Sequence, residues 1–433
     1  MPDILDLSAA MIDRGELLES PVRITNELSE VTDGVALVES FSNVVALRAG
    51  DELVVFDTSG AATGAAVVES LRSWSTAPID TIVYTHGHVD HVGGSPAFVA
   101  DGRARGHRDA RVVGHENVPP RFDRYRLTNG WNVRINQRQF GGGRPAADIV
   151  LGAGAEFLPL DVASCTETFS DRRSVVLEGV TLDLRHARGE TDDHCWSWIP
   201  EHRALATGDF VTWVFPNAGN PQKVQRYPVD WARALRDMAA MDAELLLPAH
   251  GLPIAGPERI RTVLLTTAGM LERLVSDVVD AMNTGATLDE ILHEVGVDPA
   301  LLQLPYLRPV YDEPEFVVRN VWRSYGGWWD GDPAHLKPAS QVQLAVELTD
   351  LAGGPARLAA RAQEVADTGD LRLACHLIEL AGTAAADDAA VHATRASIYD
   401  ARRRAETSLM AKGIFGEAAA ESRAIAERPT GQG

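Results

Sequence analysis

Thr85-His86-Gly87-His88-Val89-Asp90-His91-Val92-Gly93-Gly94 sets three imidazoles and one carboxylate within six residues, directly behind the apolar run Ile79-Asp80-Thr81-Ile82-Val83-Tyr84. The run reads as a buried strand and the text after it as a sharp loop opening a helix. Imidazole and carboxylate together suit zinc or another borderline first-row metal, and a tight loop can aim alternate residues at two adjacent ions. Glycines 87, 93 and 94 let the chain turn closely around such ions. The plainer alternative, a surface loop with scattered histidines, does not account for ligand type, spacing and strand-end position together.

Upstream, residues 21–58 are rich in Val and broken by Gly, Asn and Asp, which predicts a meander of hairpins before a helix in Ala61–Trp74. Downstream, Ser174–Ala187, Cys195–Pro200 and Arg203–Asp209 read as strands, with turns at Glu178-Gly179 and Glu201-His202. A helix after Pro228 leads to the short apolar strand of Ala243–Gly251. Beyond Gly256 the pattern changes. Residues 258–286 read as one long amphipathic helix, and the Ala-, Leu- and Arg-rich text after Pro338 as stacked helical hairpins. The expected fold class is therefore α/β followed by an all-α unit, with domains at 1–256 and 257–433.

The 433 residues carry a formal charge of −21, which disfavours attraction to nucleic acid or to an anionic membrane. Cys165, Cys195 and Cys375 form no CxxC pair, so a disulfide framework is not expected. With no basic-then-apolar leader and no long apolar run, the reading is a cytoplasmic protein with no membrane partner.

An HxHxDH run after a strand resembles the signature of the metallo-β-lactamase fold hydrolases, whose αββα sandwich the first domain is then expected to adopt. The rest of that pattern is matched by Ala187-Arg188-Gly189-Glu190-Thr191, Thr207-Gly208-Asp209 and Pro248-Ala249-His250-Gly251. Glu190 stands where most of the superfamily has His, and this resembles the alkylsulfatase branch. Tyr325-Gly326-Gly327-Trp328-Trp329-Asp330-Gly331-Asp332-Pro333, with Leu336-Lys337-Pro338, is similar to the signature of the alkylsulfatase dimerisation domain. The resemblance covers about residues 20–425. The full-length alkylsulfatases have a further sterol-carrier-like C-terminal domain, which this sequence is expected to lack.

The resemblance implies two zinc ions per chain, with His86, His88 and Glu190 on one, Asp90, His91 and His250 on the other, and Asp209 between them. Asp90 and Asp209 would share in catalysis by a metal-bridging hydroxide. Two divalent ions balance three carboxylates and a hydroxide, so the core sums to zero. Separate cations are then needed for an anionic ester, and Arg138, Lys223 and Arg226, with Asn217, are the candidates. Solvated surface charge is the competing fate of each. Asp57 is read either as orienting the ligand loop or as capping the next helix. His115, His186 and His194 are expected not to be ligands, and Tyr325–Asp330 to be a packing corner. The implied function is hydrolysis of an alkyl sulfate by a homodimer. A carboxylic, thio- or phosphoric ester hydrolase is the nearest alternative, and a diiron oxidoreductase or an inert helical assembly protein the more distant ones.

Overall fold

The computed structural model describes residues 3–141 and 156–428. These residues fall into two compact units, 3–133 with 156–327 and 134–141 with 328–428.

In the first unit, seven strands form one sheet in chain order: β1 (Leu28–Thr32), β2 (Val35–Val38), β3 (Val44–Ala49), β4 (Glu52–Phe56), β5 (Ile79–Val83), β6 (Arg111–His115) and β7 (Glu167–Phe169). The first four are an antiparallel meander and the last four run parallel. A second sheet has the order β13-β12-β11-β10-β9-β8, from β8 (Arg172–Leu177), β9 (Val180–His186), β10 (Cys195–Ile199), β11 (Ala204–Gly208), β12 (Leu245–Pro248) and β13 (Ile254–Ala255). Only β11 and β12 pair parallel in it.

The strand periodicity decides how these sheets stack. Val45 and Leu47 of β3 join Leu182, Leu184 and Ala206 in a core between the sheets, while Val44 and Ala46 face Val67, Leu71 and Phe98 of the helical layer. Both faces are buried, which is why the alternation of apolar and polar residues disappears from the text of β2 and β3. The helices α2 (Gly64–Trp74), α3 (Val89–Val92), α4 (Ser95–Ala104) and α5 (Val118–Leu127) cover the first sheet, and α6 (Asn129–Asn136) follows them. The outer face of the second sheet packs on α1 (Ile4–Arg14), α7 (Pro228–Ala239), α8 (Pro257–Asn283) and α10 (Pro314–Gly326), with α9 (Leu288–Glu294) beside α8 and α10. The result is an αββα sandwich.

The compact units divide the chain at a different place from the compositional change at 256. Ile260, Val263, Leu264, Leu271 and Leu274 of α8 lie in one core with Trp231, Leu235 and Met238 of α7. That long helix is therefore a layer of the sandwich, although its text resembles the helical part.

The second unit contains α11 (Pro333–Leu336), α12 (Gln341–Leu351), α13 (Pro355–Asp367), α14 (Leu371–Ala384), α15 (Ala389–Ala405) and α16 (Leu409–Ala426), plus a π-turn at Gln137–Gly141. Leu358, Ala362, Ile378, Val391 and Ile398 make its core. Ser340, Asp370, Asp388 and Ser408 cap the starts of α12, α14, α15 and α16. On α12 only Ala345 and Thr349 are buried, while Val342, Leu344, Val346, Leu348 and Leu351 are exposed. The expected packing corner is also corrected: Tyr325 and Trp328 are 60% and 71% exposed, and Trp329 Nε1 donates to the Asp332 carbonyl at 2.8 Å. No helix among the described residues is long and apolar enough to cross a membrane.

Candidate metal centre

The parallel strands β4, β5, β11 and β12 deliver polar tips past their C-terminal ends, where Asp57, His86–His91, Asp209 and His250 follow. Gly94 shows how tightly the first loop is drawn: a Cβ there would lie 2.0 Å from the Thr58 carbonyl oxygen. Seven side chains meet in two groups, His86, His88, Glu190 and Asp209, and Asp90, His91 and His250. His86 Nε2 lies 2.9 Å from His88 Nδ1, which is 3.6 Å from Glu190 Oε1. Asp90 Oδ2 lies 3.5 Å from His91 Nε2 and 3.4 Å from His250 Nε2. Asp209 faces both groups, with Oδ2 3.8 Å from His86 Nε2 and Oδ1 3.4 Å from both His91 and His250.

Hydrogen bonding around these groups fixes which nitrogens look inward. Asp57 accepts from the Thr85 N–H and hydroxyl, each at 2.8 Å, and from His91 Nδ1 at 2.8 Å. With its proton on Asp57, the Thr85 oxygen accepts from His86 Nδ1 at 3.1 Å. The Nε2 lone pairs of His86 and His91 then point into the centre. Asp57 therefore orients the loop and does not cap α2, whose N-cap position is Thr63. Its φ of +58° is one that Asn tolerates well. Asp57→Asn is expected to keep the fold and to weaken metal binding about 10–100-fold in a chelator competition.

The donor set also fits a pair of cations on physical grounds. His91 Nε2 and Asp209 Oδ1 are buried without a hydrogen-bond partner among the described residues, a costly state unless an ion occupies the gap. Burial pushes Glu190 up to about 8, with Arg226 pulling it down and Asp209 and Asp90 adding to the rise. Crowded carboxylates of this kind are relieved by positive charge.

Of the sequence-derived anion binders, Arg226 is buried against Glu190, donating to its carbonyl and lying 3.3 Å from its Oε1. Asn217 Nδ2 donates to the same carboxylate. Lys223 is half-buried, with its ammonium 5.5 Å from the Phe157 ring centroid, and burial pushes it down to about 7. Arg138 lies in the second unit, where its Nε pairs with Glu417 at 2.7 Å. The glycine-rich text beside it continues into residues 142–155, outside the described residues.

None of His115, His186 and His194 joins either group of donors. His194 Nε2 accepts from the Asp209 N–H at 3.1 Å and its ring stacks on Phe210, while His115 and His186 stack on each other.

Sequence reading missed the supports. Asp193 accepts from Gly87 N–H at 3.0 Å and from Arg121 Nε at 2.6 Å, so a fully buried ion pair holds the ligand loop. Asn43 donates to the carbonyls of Pro248 and Gly251, bracketing His250. Asp312 accepts from Gly219 and Asn220 N–H and shapes the turn that carries Asn217. Each is a lone polar residue whose partner is distant in sequence. The acidic run Asp192-Asp193 was the one visible sign.

Residues 37–250 match the metallo-beta-lactamase superfamily and residues 287–424 match alkyl sulfatase dimerisation. A linear primary-alkylsulfatase of Pseudomonas sp. is 29% identical over 345 residues, 76% of this chain and 64% of that protein. An (R)-specific secondary-alkylsulfatase of Pseudomonas sp. is 24% identical over 358 residues, 78% of this chain and 53% of that protein. The chain thus spans less than two thirds of the length of these curated relatives. The solved structure of the stereoselective inverting sec-alkylsulfatase Pisa1 from Pseudomonas sp. superposes with a TM-score of 0.80 at 24% identity, over 92% of this chain and 66% of that one.

Proposed function

For a chain that carries a metallo-beta-lactamase superfamily domain followed by an alkyl sulfatase dimerisation domain, we propose a dinuclear zinc hydrolase that cleaves sulfuric esters of alkyl chains as a cytoplasmic homodimer. The observation that carries the reading is the pair of donor groups with Asp209 facing both. His86, His88 and Glu190 would hold one ion, Asp90, His91 and His250 the other. Bound zinc supplies Lewis-acid polarisation of an ester oxygen and an acidified water.

The chain's own residues do the rest. Asp57 and Thr85 keep the imidazoles in the tautomers that present Nε2 inward. Arg226 supplies permanent positive charge beside a neutral core, Lys223 supplies it below its lowered pKa of about 7, and Asn217 anchors Glu190. A cavity of about 200 Å³ beside Asp90, walled by Ile24, Phe41, Val89 and Phe157, suits the apolar half of an alkyl ester.

An activity screen of zinc-loaded protein across alkyl sulfates, carboxylic esters, thioesters and phosphodiesters tests the substrate class, with alkyl sulfates expected to give the highest kcat/KM. Preference for a neutral ester would overturn it. Lys223→Met is expected to raise KM for an anionic ester about tenfold and to leave a neutral ester of the same chain length within about twofold. Equal losses on both would return Lys223 to a structural role. The exposed apolar row of α12 supports self-association through the helical part. Light scattering at micromolar concentration is expected to give twice the chain mass, and Leu344→Asp with Leu348→Asp to give the single chain.

A further inference from the structure

A second cavity, of about 280 Å³, opens at the far end of the first sheet, where β5 and β6 begin and α4 ends. The proposed metal ligands follow the opposite, C-terminal ends of the parallel strands. Ile79, Ile82, Phe98, Val99 and Val112 make an apolar wall. Among its lining residues is Arg72, whose side chain is 6% exposed. Arg72 Nε donates to Asp101 at 2.7 Å and Nη1 to the carbonyls of Ser75 and Ala77. Nη2 is buried and has no hydrogen-bond partner among the described residues, and the same is true of Nδ1 of His107, which also lines the cavity. Asp101 is shared by Arg72 and Arg105, so one carboxylate serves two guanidinium groups. Of the lining acids, Asp109 is paired with Arg103 and Asp161 sits on the exposed rim.

Gly102 adds an independent sign. It lies inside α4, where glycine is disfavoured relative to alanine, yet a Cβ there would meet nothing within 4 Å. No close approach or positive φ requires glycine at this position. It lines the cavity, so a larger side chain there has open space to enter.

We propose that this cavity binds a small amphiphilic anion, with a carboxylate or sulfate head on Arg72 Nη2 and His107 and a short aliphatic chain against Ile79, Ile82, Phe98 and Val112. A buried guanidinium nitrogen lacking an acceptor is satisfied by such a head group, and the apolar wall removes the chain from water.

The probe is sodium octanoate, titrated calorimetrically into the zinc-loaded full chain, with 1-octanol as the neutral comparison. Gly102→Leu is the main variant, because it fills open space and leaves every hydrogen bond of Arg72 in place. Wild type is expected to bind octanoate, and Gly102→Leu to bind one equivalent fewer per chain with a Tm no lower than that of the wild type. Arg72→Met is expected to weaken that equivalent about tenfold or more, the loss typical of a hydrogen bond to a charged group. Octanol should bind at least about tenfold more weakly than octanoate for the same reason. An unchanged stoichiometry in Gly102→Leu, or no octanoate binding by wild type, overturns the proposal. Neither result bears on the reaction at the metal centre.

Discussion

His91→Ala is expected to lower turnover at least about a thousandfold and to reduce metal content from two ions to one per chain by elemental analysis. The size of the effect follows from how many roles converge on this ring. Its Nε2 belongs to the donor group of Asp90, His91 and His250 and lies 3.4 Å from Asp209, while its Nδ1 is the one imidazole contact of Asp57 among the described residues. Removing it takes away a proposed metal ligand and leaves the fully buried Asp57 carboxylate short of a hydrogen-bond donor. Glu190→Ala strips a donor from the other group, so the two variants report on different ions. Full metal content with full activity in His91→Ala would end the dinuclear reading.

Arg121→Met is expected to destabilise the protein by about 3–5 kcal/mol in urea unfolding, the usual cost of breaking a buried ion pair on one side. Both side chains are almost wholly enclosed, and Asp193 also holds the Gly87 N–H. Burial alone would raise the Asp193 carboxyl; the Arg121 guanidinium overrides this and holds it down at about 2, against an ordinary value of 3.8. A depressed carboxylate stabilises the fold above its unfolded pKa and loses that contribution as pH falls through the folded one. Some 2 kcal/mol of stability should therefore disappear between about pH 4 and 2 in the wild type, and this acid slope should be missing from Arg121→Met. Identical slopes would show that the pair is not what sets acid stability.

The sandwich and its seven convergent donors were legible because they depend on local signals: strand runs ending in polar tips, and four donor residues compressed into His86–His91. Glu190, Asp209 and His250 were legible only through a resemblance that places them at strand ends. The parts that stayed hidden are long-range. Nothing in the text of α8 says that it packs on α7, since an amphipathic face records burial and not the partner. Arg121 and Asp193 are 72 positions apart, and each alone reads as an ordinary surface charge. The tryptophans at 328 and 329 suggested packing for the same reason, because an aromatic side chain announces a need for cover without saying whether its own chain supplies it.

The parallel pairing of β11 with β12 has a bearing on how the centre comes to exist in time. These strands are hydrogen-bonded neighbours, yet about 40 residues and α7 lie between them, so they can meet only after a long crossover has closed. Asp209 and His250 ride on their ends and depend on that closure, whereas His86, His88, Asp90 and His91 are neighbours along the chain. A newly made chain thus offers a four-donor fragment long before the remaining three donors are in place, and an ion taken up then would sit in an incomplete shell. The topology makes closure of the second sheet the step that separates a transient metal grip from a finished centre.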